Sequence, residues 1–519
     1  MAGAAKKLRI GILDIVTRNP RPTLYGRIMH GNLASIMPQA LGVWCEEAGH
    51  EVSFICYTGA EDLAGDFPAD MDILFIGAFT QSAQLAYAIS HLFRKRGVVT
   101  VLGGPHARCY PEDAQLYFDY VLGFTDKAVI ADVLEDCAPH RPLGVLLSAR
   151  AQPRELPGVE ARWKFISQTL AKTATNFKMV PMLGSLGCPY TCSFCIDATV
   201  RYQPLDFEEM RRDIQFLLTK FKRPIVGWHD PNFGVRFDET LAVLEEADPE
   251  RRVRHICESS LSLLSEERVK RMAAAGFEAV LPGIESWYDM GAKSKTGAKR
   301  ARDKMLQISD HINRIMRHIP YVQTNFVLGM DSEEGPEPFE LTKEFLDRTP
   351  GAFPAYSLLS AFGEAAPMNL ELQQAGRVLS TPFHFLNNNL AMNVKPLHYS
   401  WPDFYDRLVD LTRHSFTWKA IGRRMQATPG FTPKWMNVVR AISSEGFGRI
   451  KYHTMLRARL DTDRELRGYL ERETEKVPSF YADRIREDLG GFWEHLPEGA
   501  ISHDQNAYLH KAREPALAE

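Results

Sequence analysis

The stretch DILFIGAFTQSAQLAYAISHLFRKRGVVTVLGGPHARCYPEDA, from Asp72 to Ala114, holds two short apolar runs, ILFIGAF and VVTVLGG, on either side of a helical pattern from about Gln84 to Lys95. A strand that is apolar on both faces belongs inside a parallel sheet, and parallel strands need a crossover between them. The same alternation runs upstream through LRIGILDIV, a helical stretch near 34–48 and HEVSFICY, and downstream to DYVLGF. The fold class is therefore α/β, beginning with a doubly wound parallel sheet over residues 1–145. Ligands of such sheets sit beyond the carboxyl ends of the strands. That rule singles out Thr80 and Ser82 after the third strand, and Gly103, Gly104 and His106 after the fourth. Glycines there let a large ligand approach the backbone; a tight strand-to-helix turn is the other reading of the pair.

Residues 146–178 contain prolines and no strong period, and read as a linker. A second series over 179–385 has six strands (KMVPMLGSLG, RPIVGWHD, VRHICESS, EAVLPGIES, YVQTNFVLGM, AFPAYSLLSAF) and five intervening helices. Six units are too few for a closed eightfold barrel and suit an open (β/α)6 partial one, with its chemistry at the C-terminal strand ends. From 386 to 519 the strand signals stop and a mainly helical region is expected. Its aromatics Tyr399, Trp401 and Trp435 could wall a pocket or simply form a core.

The chain of 519 residues is 45% hydrophobic and carries 62 basic against 65 acidic side chains, a net charge of -3. This excludes a fibre or a largely disordered protein. It favours neither nucleic acid nor an acidic membrane as partner, and leaves room for a local basic patch. The N-terminus MAGAAKKLRIGILDIV is interrupted by Arg9 and Asp14, so it is no signal peptide, and no transmembrane segment is expected. With only eight cysteines in a long chain, a cytoplasmic protein with reduced thiols is expected. Five of them stand apart.

The other three fall in GSLGCPYTCSFCID, at Cys188, Cys192 and Cys195, directly after the first strand of the second series. Chance would give this spacing about two times in a thousand. Three thiolates on one loop suit a soft metal centre, either zinc or an iron-sulfur cluster. Zinc would need a fourth ligand, and no Cys or His follows at finger spacing. A [4Fe-4S] cluster held by three cysteines leaves one iron open to an outside ligand.

The triplet, with Phe194 before its last cysteine, resembles the signature of the radical S-adenosylmethionine (SAM) enzymes. GWHDPNF, CESSLSLLS, PGIES and NFVLGMDSEE resemble that family's successive strand ends, so the resemblance covers about 200 residues. It implies a [4Fe-4S] cluster on the three cysteines, with the amino and carboxylate groups of SAM on the open iron. Reductive cleavage then yields a 5'-deoxyadenosyl radical that abstracts hydrogen from an unactivated carbon. It further implies an electron donor such as flavodoxin or ferredoxin. Phe194, Asp230, Asn232, Ser260 and Glu285 are the candidate cofactor residues of the barrel. A carboxylate at Asp230 can accept from an ammonium; Glu285 could instead pair with a buried cation, and Ser259 and Ser260 could instead cap the next helix.

The Asp72–Ala114 stretch resembles the cobalamin-binding domain of one branch of the family, in which Thr80, Ser82, Gly103, Gly104 and His106 would meet the cofactor. The Asp-x-His-x-x-Gly motif of classical cobalamin proteins is replaced by Asp14-Ile15-Val16-Thr17-Arg18-Asn19, so that motif supplies no cobalt ligand. His30 in the following loop is a substitute ligand or a surface residue. The function implied is cobalamin-dependent radical C-methylation of a small-molecule or lipid substrate. The alternative is a cyclisation, ring contraction or rearrangement on the same cofactors. A metal- or cobalamin-sensing module would need an output region, and none is recognisable. No nucleic acid partner is expected.

Overall fold

The computed structural model describes residues 7–20, 30–137, 143–173, 178–288 and 300–509. The first sheet contains β1 (Arg9–Ile15), β2 (Glu51–Tyr57), β3 (Ile73–Ala78), β4 (Val99–Gly103), β5 (Tyr120–Leu122) and β6 (Val145–Leu147) in the order β2-β1-β3-β4-β5-β6, all parallel. β1 buries every residue after Arg9, as a central strand covered on both faces must. Helices α1 (Ile36–Glu47) and α2 (Ala83–Arg94) serve as crossovers, and the short α3 (Pro105–Cys109) follows β4. The order reverses at β1/β3, which puts the binding crevice over their carboxyl ends.

The expected linker is more ordered than its prolines suggest. Leu146 and Leu147 belong to β6, one strand beyond the expected boundary, and α4 (Trp163–Ala171) docks on the first sheet. The Phe165 ring of α4 lies tilted against Phe54, with 5.2 Å between centroids, and rests on the bare backbone of Gly42. Both elements are only a few residues long, so their periodicity is too short to stand out between prolines.

The second sheet begins with β7 (Met179–Met182). The lead-in Ser185–Leu186 (β8) pairs antiparallel with Gln203–Pro204 (β9). Then follow β10 (Ile225–Trp228), β11 (Arg254–Ser260), β12 (Phe277–Glu285), β13 (Tyr321–Leu328) and β14 (Phe353–Leu358), in the order β14-β13-β12-β11-β10-β7. The five crossovers are α5 (Phe207–Lys220), α6 (Phe237–Ala247), α7 (Glu266–Ala274), α8 (Ala301–Met316) and α9 (Glu337–Arg348). Six parallel strands in sequential order form the expected open barrel. All six carboxyl ends point the same way, toward the cysteine loop after β7.

The last region is helical, with α10 (Trp401–Phe416), α11 (Trp418–Ala427), α12 (Phe431–Ile442) and α13 (Phe447–Thr462) before shorter helices. Tyr399 and Trp401 are core residues: their polar atoms donate to Gly335 O and Leu470 O at 2.9 Å each. Trp435 lies at the surface. The region also reaches back to the first sheet, where buried Arg18 donates to His384 O at 2.7 Å and His384 meets Asp488 at 2.9 Å. Among the described residues no helix is long and apolar enough to cross a membrane.

Candidate active site

The cysteine loop leaves β8 and is fixed from several sides. Cys188 N donates to Val200 O at 3.4 Å, Met368 N to Ser193 O at 2.9 Å, and the Tyr190 hydroxyl meets Ser262 at 2.7 Å beyond β11. All three cysteines are partly exposed and none forms a disulfide. Asp197 N points at Cys195 Sγ from 3.4 Å, a donor that favours a charged sulfur. Among the described residues no three His, Cys, Asp or Glu side chains converge on one point.

The strand ends around the loop gather most of the expected residues. Asp230 is buried after β10; its carboxylate accepts from Gly184 N at 3.0 Å and Ser185 Oγ at 2.6 Å, so it orients the lead-in to the cysteines. Asn232 Oδ1 accepts from Ser260 N at 2.8 Å, while its buried Nδ2 has no partner among the described residues. Ser260 Oγ bonds Ser262, which continues to Tyr190. Ser259 is spent on Phe233 O at 2.9 Å. Glu285 ends β12 with φ 63°, a left-handed conformation that costs a non-glycine residue about 1–3 kcal/mol and is retained where the surroundings enforce it. Phe194 packs half-buried against the core. Sequence reasoning passed over Glu333, which is buried beyond β13, accepts from Ser286 Oγ at 2.7 Å and Gly329 N at 2.9 Å, and is raised to about 7 by burial. Cys257 is buried in β11 with its thiol pushed well up by desolvation, as befits a structural cysteine.

Burial also raises the Asp230 carboxyl from 3.8 to about 6, against the hydrogen bonds from Gly184 and Ser185 that pull it down. Since the folded value is the higher one, protonation favours the fold: this contribution is complete below pH 4 and lost as pH rises through 6. Asp230→Asn removes the dependence. The variant apoprotein should gain about 2 kcal/mol of unfolding free energy relative to wild type between pH 4 and pH 8, measured by urea titration; a pH-independent difference would contradict the shift.

Between the two sheets lies an open cleft of about 500 Å³, bounded by the carboxyl ends of both. Val16, Phe79, Gln81, Gly104, Arg108 and Phe124 line it from the first sheet; Leu186, Gly187, Asp197, His229 and Pro231 line it from the barrel. A narrower pocket of about 100 Å³ runs inward between β1, β3 and β4, past Ile12, Phe75, Gly77 and Gly103. A Cβ on Gly103 would meet nothing within 4 Å, whereas one on Gly104 (φ 92°) would sit 3.1 Å from Ala78 O. The first glycine faces open space; the second is required by the backbone.

Three expected residues of this domain line neither the cleft nor the inner pocket. The 3-10 turn Thr80–Ser82 presents its neighbours Phe79 and Gln81 instead, leaving Thr80 and Ser82 buried, with Ser82 Oγ on Thr17 O at 3.2 Å. His106 is fully buried among Tyr87, Tyr110 and Phe383, its Nε2 2.6 Å from the Tyr87 hydroxyl. Burial lowers it to about 3, so it stays neutral. The His30 side chain lies outside the described residues, and the loop after β1 offers Val16 to the cleft.

Arg108 ties the domains together. Its guanidinium donates to Asp197 Oδ1 at 3.2 Å and Ile196 O at 2.8 Å, immediately after Cys195, and covers the Phe124 ring. Both charged partners are about four-fifths buried (18% and 23% exposed). Arg108→Ala therefore strands two acceptors in the seam. We expect a loss of about 1–3 kcal/mol in thermal unfolding and faster removal of bound iron by chelator; wild-type behaviour in both would show that the bridge contributes nothing.

Residues 182–343 match the Radical SAM superfamily. The second sheet is a radical SAM domain. Such a domain works with a [4Fe-4S] cluster and SAM, and its match begins at the end of β7 and takes in the cysteine loop. Over 398 residues the chain is 24% identical to the bacteriochlorophyllide d C-8(2)-methyltransferase of Chlorobaculum tepidum, spanning 73% of this chain and 84% of that one. To that organism's bacteriochlorophyllide d C-12(1)-methyltransferase it is 23% identical, with coverage of 73% and 82%. Among solved structures, the radical SAM methyltransferase TsrM from Kitasatospora setae, with tryptophan and a SAM analogue bound, superposes with a TM-score of 0.55 at 15% identity, covering 90% of this chain and all of TsrM. OxsB, a cobalamin-dependent SAM radical enzyme with aqua-cobalamin and SAM bound, gives 0.54 at 12% identity, covering 98% of this chain and 83% of OxsB. At these identities the likeness is one of fold, and it extends beyond the radical SAM domain to the rest of the chain.

Proposed function

We propose that the chain is a cobalamin-dependent radical SAM enzyme that methylates carbon. The observation that carries this reading is the shared cleft: one opening joins a glycine-lined pocket in the doubly wound sheet to the cysteine loop of the radical SAM domain. When bound, the cluster and SAM supply a hydrogen-abstracting radical, and cobalamin supplies the methyl group. The methyltransferase relatives support methyl transfer over cyclisation or rearrangement.

In this reading Cys188, Cys192 and Cys195 hold the cluster, and Phe194 shields it on the core side. Asn232, Ser260 and Glu285 receive the polar groups of SAM; the unpartnered Nδ2 of Asn232 is a donor left over for a ligand. Asp230 acts through Gly184 and Ser185 as a positioning residue. Gly77 and Gly103 would leave room for the nucleotide tail of cobalamin, Gly104 would let the turn after β4 pass close to it, and Val16 would present an apolar side chain to the cofactor's cleft. Partly exposed cysteines allow an electron to arrive from a flavodoxin or ferredoxin. The absence of disulfides among the eight cysteines supports a cytoplasmic location.

The test is anaerobic turnover of the reconstituted protein with SAM, reductant and extracts of its source. We expect 5'-deoxyadenosine and S-adenosylhomocysteine to form together, with a product heavier by one methylene. Deoxyadenosine without S-adenosylhomocysteine would move the reading to a cyclisation or rearrangement. Neither product would overturn it.

A further inference from the structure

The C-terminal helices carry a surface that this chemistry does not use. On α12, Phe431, Trp435 and Ile442 follow at spacings of four and seven and share one face, while Val438 at its edge packs half-buried against the core. That face points outward: Phe431 is 76% exposed, and Trp435 and Ile442 are 49% exposed. The residues the helix buries are Asn437 and Ala441. Next to it, Trp418 of α11 is 69% exposed and meets Phe447 of α13 edge-on at 5.2 Å. Phe447 in turn lines an open apolar groove with Ile450 and Met455. Single exposed apolar side chains are ordinary, but a contiguous aromatic patch marks a contact surface.

Its charge indicates what makes the contact. Between Leu411 and Leu460 the chain carries ten Lys and Arg residues and one carboxylate, Glu445, although its net charge is -3. Arg413 and Lys451 flank the groove, while Lys419 adjoins Trp418 and Lys434 adjoins Trp435. None of these four makes an ion pair among the described residues, whereas Arg423, Arg440, Arg457 and Arg459 all do. The patch therefore combines exposed Trp and Phe with unneutralised cations.

The surface also lies well away from the cofactors. α11 and α12 dock through Arg424 on Ala352 O (3.0 Å), Thr428 on Gly351 O (3.4 Å) and Arg440 on the Tyr321 hydroxyl (2.7 Å). These partners stand at the starts of β13 and β14, the end of the barrel opposite the cysteine loop. Contact there leaves the cleft open.

We propose that this face docks the enzyme peripherally on an anionic lipid bilayer, with Trp418, Phe431, Trp435 and Ile442 at the acyl boundary and the lysines among the headgroups. Trp beside Lys is the combination that suits the water–lipid interface. A nucleic acid would have no use for the exposed aliphatic Ile442. The proposal stands on this surface alone and does not depend on the reaction assigned above.

Flotation of the full-length protein with phosphatidylcholine vesicles, with and without phosphatidylglycerol, tests it. We expect binding to the anionic vesicles alone, weakened by salt, with a blue shift in Trp fluorescence that Trp435→Phe diminishes. The triple variant Lys419→Glu, Lys434→Glu, Lys451→Glu should lower the partition coefficient on the order of 100-fold. The pair Phe431→Ser, Trp435→Ser should abolish the fluorescence shift. Both should keep the wild-type melting temperature and iron content, because every altered side chain is at least partly exposed and distant from the cleft. Three results would overturn the proposal: equal or no binding to the two vesicle types, binding that survives both variants, or a dimer or an RNA complex that depends on these residues while vesicles are ignored.

Discussion

Replacing any one of Cys188, Cys192 and Cys195 by alanine is expected to abolish SAM cleavage, by about a thousandfold or more, and to remove the visible absorbance of the reconstituted cluster. In the proposed arrangement each thiolate would hold its own iron, and the five other cysteines lie outside the loop. The five remaining cysteines act as internal controls: Cys45, Cys56, Cys109 and Cys257 are buried in cores, and Cys137 lies at the end of the helix after β5. Substituting Cys257 by Ala should cost stability and leave the cluster spectrum unchanged. A triplet variant that kept its spectrum and cleavage would remove the loop from the account.

Gly103→Trp is expected to block cobalamin, lowering its affinity by about 100-fold or more while the protein still folds and loads its cluster. The asymmetry between the paired glycines makes this test selective. A Cβ on Gly103 meets no atom within 4 Å and Gly103 lines the pocket, whereas any side chain on Gly104 is strained at φ 92° and its Cβ crowds Ala78. Gly103→Ala adds too little to fill the pocket and should bind cobalamin nearly as well as wild type. Equilibrium titration followed at the corrin absorbance separates the outcomes. Unaltered binding in Gly103→Trp would place the corrin elsewhere.

How far the sequence alone reaches varies with the kind of feature. Both sheets are legible because their strands are continuous apolar runs separated by long amphipathic helices, so period and length agree; the helix read at 207–221 is α5, and that at 337–347 is α9. The site is legible where spacing alone carries chemistry, as in the cysteine triplet. Orientation is another matter. Thr80 and Ser82 lie in a turn whose phase depends on what packs behind it, so their neighbours Phe79 and Gln81 face the cleft instead. His106 is claimed by aromatic residues from the end of the barrel, a contact that joins positions 277 residues apart with Phe383. Arg108 and Asp197 are 89 residues apart and meet only when two domains close on each other. The outward stripe of α12 has the period of a core-facing helix, and only the fold reveals that it faces solvent.

The central claim is that one cleft holds two cofactors. It is tested most directly by metal analysis of the anaerobically reconstituted, gel-filtered protein, beside Gly103→Trp and a triplet variant. The account predicts one cobalt and a full complement of cluster iron per wild-type chain, cobalt alone lost from Gly103→Trp, and iron lost from the cysteine variant. Wild-type protein that retained its iron and bound no cobalt would contradict it.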